Sequence, residues 1–387
     1  MVKAIKVMLI PNNVQKTKMF QYAGASRFAY NWALAREIEN YEKGGEFISD
    51  AELRKEFTKL RHSDEYAWLL NISNNVTKQA IKDACTAYKN FFKGLQKFPR
   101  FKSKKRSMPK FYQDNVKIRF SNTHVKFEGF SSSRKANKQK MNWVRLAEHG
   151  RIPTDVKYMN PRISFDGLNW WISVCVEFPD CMEKLNDDGI GIDLGIKDLA
   201  ICSDGAKYKN INKSQKVKKL EKQKRRLQRS ISRSYEKNKK GESYCKTNNV
   251  IKKEKLLLKR NHRLTNIRKN YLNQTISEII NRKPRFICIE DLNVSGMMKN
   301  RHLSKAVQEQ GFFGFRKQLE YKCSDKGIQL IVADRFYPSS KLCSCCGNIK
   351  KDLKLSDRVY RCACGNMIDR DFQASINLKT YGEKFAS

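Results

Sequence analysis

Two short apolar runs in this chain each end in a carboxylate, and a third carboxylate opens a helix-like run far downstream. No other feature restricts the fold as much. Gly189 to Ile192 leads into Asp193 within Gly-Ile-Asp-Leu-Gly, and Phe286 to Ile289 leads into Glu290 within Ile-Glu-Asp-Leu-Asn. The third lies in Asp-Arg-Asp at 369–371, where Asp371 begins a helical pattern that continues to Lys379. A buried strand-end carboxylate without a compensating cation is costly. Asp193 and Glu290 lie 97 residues apart, and Glu290 and Asp371 lie 81 apart, so only tertiary structure can bring them together. Two strand ends and a helix start are the arrangement an RNase H-like sheet offers.

Three converging carboxylates suit two-metal phosphodiester hydrolysis. Mg²⁺ prefers oxygen ligands, retains water and completes its octahedron with substrate phosphate. Two ions about 4 Å apart activate the attacking water and stabilise the leaving oxygen. A single strand-terminal acid can merely cap a turn; three in this order and context point to chemistry. Asp369 competes with Asp371 for the third place, because acids two residues apart cannot both project from one helical face. We assign the metal role to Asp371, with Asp369 supporting the first helical turn and Arg370 bracing the acids or meeting phosphate.

Charge narrows the partner. Lys and Arg number 79 against 39 acids, a formal charge of +40, while apolar residues make up 40% of the chain. Such a surface repels itself unless a polyanion neutralises it. No apolar run reaches the ~18 residues a membrane-spanning helix needs, and the N-terminus has no signal pattern. Nucleic acid is therefore the expected partner, not membrane.

Seven of the 12 cysteines are scattered, mostly in apolar runs, where cysteine acts as a small hydrophobe. The other five crowd into 343–364. Without a secretion signal, that crowding reads as metal binding in a reducing compartment. Cys343-Ser-Cys-Cys346-Gly and Cys362-Ala-Cys364-Gly resemble the two knuckles of a zinc ribbon. The expected ligands of one structural Zn²⁺ are Cys343, Cys346, Cys362 and Cys364, with Cys345 able to replace Cys346. The second pair has one residue between its cysteines, which tightens that knuckle.

The chain reads as multidomain α+β. Val2 to Ile10 alternates like an edge strand. Helical spacing follows from Gln15 to about Phe92, and its aromatic stripes (Phe28, Trp32, Tyr88, Phe91) read as helix core rather than as base-stacking platforms. Lys97 to Arg106 alternates aromatics and cations around Pro99, which suits an extended strap against nucleic acid. From Val116 to Phe178 the period is two, punctuated by Gly129, Gly150, Pro153, Pro161 and Gly167, which predicts a small β-barrel or sandwich with the helices inserted into it. Pro179 to Asp188 reads as a linker. Residues 214–272 hold 21 Lys and Arg against 4 acids, which predicts a basic helical pair, broken near Gly241, walling a nucleic-acid groove.

These motifs resemble the TnpB proteins of insertion sequences, which are related to type V CRISPR effectors. The resemblance is carried by Gly191-Ile-Asp-Leu-Gly-Ile-Lys-Asp-Leu-Ala, by Ile289-Glu-Asp-Leu-Asn-Val-Ser-Gly-Met-Met-Lys-Asn, by Tyr337-Pro-Ser-Ser-Lys-Leu-Cys-Ser-Cys-Cys-Gly and by Ile368-Asp-Arg-Asp-Phe-Gln-Ala-Ser-Ile-Asn-Leu. Ser26-Arg-Phe-Ala-Tyr-Asn-Trp-Ala and Ala87-Tyr-Lys-Asn-Phe-Phe-Lys-Gly add to it near the N-terminus. It implies an RNA-guided DNA endonuclease with a guide RNA and a double-stranded DNA target, whose short adjacent motif the N-terminal wedge and recognition domains would read. By the same resemblance, 1–14 and 106–180 form a β-barrel wedge domain and 15–105 an inserted helical recognition domain. Residues 189–337 and 367–387 form an RNase H-like (RuvC) α/β domain, into which a zinc ribbon at 338–366 is inserted. Asp193, Glu290 and Asp371 match the family's catalytic carboxylates and would hold two Mg²⁺ ions. The implied setting is the prokaryotic cytoplasm, at the nucleoid, with a monomer on its RNA and a dimer as the alternative. Where the family's usual motif reads Asp-Arg-Asp-x-Asn-Ala-Ala, this chain has Gln373 and Ser375. A nuclease-inactive, RNA-guided repressor is the competing reading, but such relatives are expected to lose one or more of the three acids. A strand-transfer transposase is disfavoured by the zinc ribbon and by the aromatic, basic N-terminal half.

Overall fold

The computed structural model describes residues 1–131, 140–179, 184–241, 243–354 and 357–386, which form two compact units, Met1–Pro179 and Asp180–Ser387. The division falls at the start of the predicted linker; residues 180–183 lie outside the described ones. No described helix is long and apolar enough to cross a membrane.

In the first unit, β1 (Val2–Ile10) leads into α1 (Asn13–Glu42), α2 (Asp50–Arg61), a 3-10 turn (Asp64–Asn71) and α3 (Asn74–Phe92). Asn12 caps α1: its Oδ1 accepts from Gln15 N at 2.9 Å, and Gln15 Oε1 accepts from Asn12 N at 3.0 Å. This reciprocal box satisfies two N–H groups that the helix start would otherwise leave open. Gln15 Nε2 also donates to the carbonyls of Met141 (3.0 Å) and Trp143 (2.9 Å), fastening the helix to the sheet. The sheet adds β2 (Lys110–Tyr112), β3 (Arg119–Phe120), β4 (His124–Lys126), β5 (Trp143–Leu146), β6 (Tyr158–Phe165) and β7 (Trp170–Glu177). Its strand order is β2-β6-β7-β1-β5-β4-β3, with every pairing antiparallel. Helix residues Met19, Tyr22 and Ala29 and sheet residues Phe111, Val144 and Trp170 share one core.

Three expectations change here. First, β1 is interior. It pairs with β7 from Val2 to Leu9 but with β5 only at Leu9 and Ile10, so most of its other side is open, and its alternation looks like an edge. Second, strand pairing does not close the sheet into a barrel among the described residues. Instead the sheet curls: Glu128 N donates to Gln113 Oε1 at 3.0 Å, and the Phe111 and Phe127 rings lie 6.5 Å apart. Third, Pro161 does not end a strand. It sits in β6 at a bulge between Met159 and Arg162, where a missing N–H is tolerated, and its carbonyl accepts from Gln113 N at 3.1 Å.

The Lys97–Arg106 segment is neither helix nor strand. It is anchored at one point. Asn31 Nδ2 donates to the Lys102 carbonyl and Asn31 Oδ1 accepts from Lys102 N, both at 2.8 Å. The Lys102 ammonium packs over the Tyr30 ring, and burial, helped by Lys110, brings it down to about 7.

The second unit is built on β8 (Ile190–Leu194), β9 (Asp198–Cys202), β10 (Lys207–Lys209), β13 (Phe286–Glu290) and β14 (Gln329–Ala333), in the order β10-β9-β8-β13-β14. β8, β9 and β10 pair antiparallel; β8, β13 and β14 are parallel. Between β10 and β13 come α4 (Gln215–Lys237), a short hairpin of β11 (Lys239–Lys240) and β12 (Ser243–Tyr244), and α5 (Asn248–Ile280). Gly241 sits at that hairpin with φ +58°, which marks the predicted break. After β13 come α6 (Val294–Lys299), α7 (Ser304–Gln310) and α8 (Phe312–Lys326). β15 (Val359–Arg361), β16 (Met367–Asp369) and α9 (Arg370–Glu383) follow β14.

β13 is apolar up to Glu290 because both its faces are covered. Ile287 and Ile289 share a core with Ile190 and Ile192 of β8, Ile276 of α5 and Phe315 of α8. Phe286 and Cys288 join Leu378 of α9 on the other face. Side chains alternate along a strand, so Gly191, Asp193 and Glu290 belong to the α9 face.

Candidate active site and cysteine cluster

Register brings the first two acids together. β8 and β13 run parallel with Ile192 opposite Ile289, so Asp193 and Glu290 stand one step further along, side by side and on one face. The third acid arrives on α9. Asp369 is the N-cap of that helix, its Oδ1 accepting from Asp371 N (3.0 Å) and Phe372 N (3.1 Å). Asp369 is thereby occupied, and Asp371, in the first turn, is the acid that reaches the others.

A cleft of about 340 Å³ is lined by Asp193, Glu290 and Asp371, together with Asp198, Arg358 and Arg370. Arg370 Nη2 lies 3.1 Å from Asp371 Oδ1, and Arg358 Nη1 lies 3.8 Å from Asp371 Oδ2. Ser339 Oγ donates to Glu290 Oε1. Burial, and then the charges of Glu290 and Asp371, hold the Asp193 carboxyl well above the usual carboxylate range, with Arg370 opposing. Burial also raises Glu290; the Ser339 hydrogen bond opposes this and Asp371 adds to it. Asp193 and Glu290 thus lack a cation within the chain that fully offsets them.

Two lining residues were not anticipated. Asp198 follows Asp193 by five positions in Gly-Ile-Lys-Asp and pairs with Lys207 Nζ at 3.2 Å. Its place was open to inspection, since a tight turn between two strands returns it to the same strand end. Arg358 carries no sequence signal, because it reaches the cleft only through the β15–β16 hairpin, where Arg370 N donates to the Arg358 carbonyl at 2.9 Å.

The position of α9 depends on a glycine and two amides. A Cβ on Gly191 would stand 2.0 Å from the Ser375 carbonyl oxygen and 2.3 Å from Lys379 N, so α9 lies directly on the β8 backbone. Gln373, fully buried, donates from Nε2 to the Leu342 carbonyl at 2.6 Å. Its Oε1 accepts from Ser344 Oγ (2.9 Å) and Asn366 Nδ2 (3.2 Å). Asn377 Nδ2 donates to the carbonyls of Ser339 and Leu342, both at 2.7 Å. The departure from the family motif at 373 is therefore a functioning tie between α9 and the cysteine loops.

The thiols of Cys343, Cys346, Cys362 and Cys364 all lie within 4.8 Å of one another, and among the described residues no other such group of His, Cys, Asp or Glu is found. Cys343 and Cys364 sulfurs are 3.6 Å apart, and those of Cys346 and Cys362 are 3.5 Å apart. A tetrahedron with ~2.3 Å Zn–S bonds has edges of about 3.8 Å, so the four can hold one zinc ion. Cys345 is exposed and outside the group. Although burial opposes it, the backbone N–H of Cys346, the Asn366 amide and the backbone N–H of Cys345 bring the Cys343 thiol down to about 6. The backbone N–H of Asn366 favours the Cys364 thiolate, yet the Cys346 and Cys362 sulfurs push it up to about 12. Four thiolates this close need a cation. The short second knuckle does not prevent the cluster from forming. Of the scattered cysteines, Cys85, Cys202, Cys288 and Cys323 are buried as expected, whereas Cys245 is exposed.

Comparison with known proteins matches three family models. A "Cas12f1-like, TNB domain" matches residues 312–378, a "Probable transposase" model matches 173–301, and a "Helix-turn-helix domain" model of the same IS605 OrfB proteins matches 1–46. In this chain 1–46 holds a strand and one long helix, α1. The "Putative RNA-guided DNA endonuclease InsQ" of Escherichia coli (strain K12) is 30% identical over 379 residues, covering 93% of this chain and 87% of the relative. A "Putative RNA-guided DNA endonuclease" of Streptomyces pristinaespiralis is 28% identical over 382 residues, covering 98% and 89%. Among solved structures, the Cas12f1 chain of a cryo-EM complex with single guide RNA and target DNA shares the fold, with a TM-score of 0.60 at 12% identity over 98% of both chains.

Proposed function

Because the chain belongs to the TnpB (IS605 OrfB) family of insertion-sequence proteins, we propose that it is an RNA-guided DNA endonuclease that cuts a target matched by its guide RNA. The observation that carries this reading is the cleft in which Asp193, Glu290 and Asp371 meet. The strand order β10-β9-β8-β13-β14 supports an RNase H-like (RuvC) domain at 189–337 and 367–387, with the zinc ribbon at 338–366 inserted. The wedge assignment of 1–14 and 106–180 and the recognition assignment of 15–105 follow from the family.

Each residue has a role in this reading. Asp193 and Glu290 face the cleft from adjacent strand ends, and Asp371 closes it from α9. The uncompensated carboxylates of Asp193 and Glu290 suit Mg²⁺, a hard cation that prefers oxygen ligands. Asp193, Glu290 and Asp371 would hold two Mg²⁺ ions, whose chemistry would be activation of a water and neutralisation of charge on phosphate and leaving oxygen. Ser339 fixes the orientation of Glu290, and Asp369 fixes the turn that presents Asp371. Arg370 and Arg358 are placed to exchange Asp371 for a phosphate oxygen. Along α4, Lys218, Lys222, Arg225, Arg226 and Arg229 line a groove of about 580 Å³, a basic wall for nucleic acid.

RNA isolated with the purified protein is expected to be of defined sequence. Plasmids matching its variable end, beside a randomised flank, are expected to be cut in Mg²⁺ and protected in EDTA. RNA-free protein that cuts unmatched plasmid equally well would refute the guided reading.

The zinc ribbon makes a second expectation. Cys362→Ser should lower zinc from about one per chain to near zero by metal analysis, since structural zinc sites need all four ligands. Because Gln373 and Asn377 hang α9 on the cysteine loops, cleavage should fall with the zinc. A variant retaining full zinc would exclude Cys362 as a ligand.

A further inference from the structure

One cleft of the first unit is remote in sequence from the acids of the candidate active site. It measures about 880 Å³ and lies between α1, the Lys104–Pro109 segment and the β6–β7 turn. Its floor is aromatic. Phe20 is 44% exposed although it packs edge-on against Phe165 (5.1 Å) and Trp170 (4.9 Å), and Met108 beside it is 59% exposed. Phe20 is thus held by core aromatics while its ring remains partly open to the cleft.

The rim is cationic. Arg27, Lys104, Lys105 and Arg106 line it, and among the described residues none of the four is paired with an acid. Asp166 is the one acid on the lining. It is occupied by the N–H groups of Leu168 (2.9 Å) and Asn169 (2.7 Å) and by Trp171 Nε1 (2.6 Å). The cationic turn is not adrift, because the Asn31 clamp on Lys102 anchors it two residues upstream. Gln21 and Ser107 add polar groups to the lining.

A supported, exposed aromatic beside unneutralised cations suits a base stacked on the ring with phosphates on the rim. A duplex hides the faces of its bases, so the ligand must be unpaired. We propose that this groove holds an unpaired nucleotide of single-stranded RNA, its base on Phe20 and Met108 and its phosphates on the Lys104–Arg106 turn. RNA is favoured over DNA because Gln21 and Ser107, which line the cleft, can engage a 2′-hydroxyl, which both donates and accepts. The inference rests on the RNA-guided reading above and extends it to a specific subsite.

The test is photocrosslinking of the full-length protein to a short single-stranded RNA carrying 5-iodouridine, with the crosslinked peptide mapped by mass spectrometry. The crosslink is expected on the peptide containing Phe20 or Met108. Phe20→Ala should reduce it by about fivefold or more, the loss of one base stack, while total RNA bound to the filter changes little. Combining Lys104→Ala, Lys105→Ala and Arg106→Ala should lower the slope of log affinity against log salt by about 2, from three phosphate contacts on a single strand. The matching single-stranded DNA should crosslink there far less. Crosslinks confined to other peptides, or equal crosslinking by DNA, would overturn the proposal while leaving the guided reading intact. A parent protein that binds no RNA at all would overturn both.

Discussion

Asp193→Asn is expected to abolish cleavage of guide-matched DNA and, in the same protein, to raise the stability of the metal-free fold. The first effect follows from the role of the carboxylate as a ligand. Asn keeps the shape but loses the charge, and a loss of ~4 kcal/mol of transition-state stabilisation corresponds to roughly a thousandfold in rate. The second follows from the electrostatics of the cleft. Burial and the neighbouring Glu290 and Asp371 charges raise the folded-state pKa of Asp193 above its unfolded value. The native state then binds more protons than the unfolded state between those two pKa values, so stability falls as pH rises through that window. Above the window the full penalty is present; below about pH 4, the unfolded carboxyl value, it is absent. The Asn variant should therefore melt higher than the parent at neutral pH in EDTA, and the two should converge in acid. Mg²⁺ should raise the parent's melting temperature and leave the variant's nearly unchanged, because only the parent retains the ligand. Parent-like cleavage by Asp193→Asn would remove it from the active site. Equal melting in EDTA at neutral pH would remove the repulsion argument.

Gly191→Ala should also be severe, although it adds only a methyl group. The new Cβ would stand 2.0 Å from the Ser375 carbonyl oxygen and 2.3 Å from Lys379 N. Both are backbone atoms of α9, so no side-chain rotation relieves the clash and the helix itself must shift. Overpacking of this kind costs about 1–3 kcal/mol. The functional loss should be larger in proportion, because α9 carries Asp371 while β8 carries Asp193. A displacement of ~1 Å between reacting groups can cost about a hundredfold in rate. Gly314→Ala is the control: it lies within α8, with nothing near its Cβ position, and should melt and cut like the parent. If Gly191→Ala matched that control in cleavage rate, close packing of α9 on β8 would not be what positions the third acid.

Asp193 and Glu290 were legible in the sequence itself. The apolar runs ending in Asp193 and Glu290 are strands because they are short, apolar and bounded by turns, and a parallel pair covered on both faces demands that composition. The crowding of Cys343, Cys346, Cys362 and Cys364 was equally visible, since ligand spacing within each knuckle is a local property. The preference for Asp371 over Asp369 rests on a local cue, the helical pattern that Asp371 opens, and Asp369 is the N-cap of α9. Long-range choices were less legible: which of Cys345 and Cys346 faces the second knuckle is set by the fold. β1 looked like an edge strand because β5 covers only its last two residues.

What the sequence by itself determined is the set of elements, the nucleic-acid character imposed by a charge of +40, and the three acids with their cysteine cluster. These are written in short periods and fixed spacings, which a few neighbouring residues suffice to encode. What only the tertiary structure decided is convergence. The Ile192–Ile289 register sets Asp193 beside Glu290, the absent Cβ of Gly191 lets α9 lie on β8, and Gln373 ties that helix to the cysteine loops. Contacts between segments about 30 to 190 residues apart depend on which surfaces pack best after the chain has folded, and no local pattern encodes that.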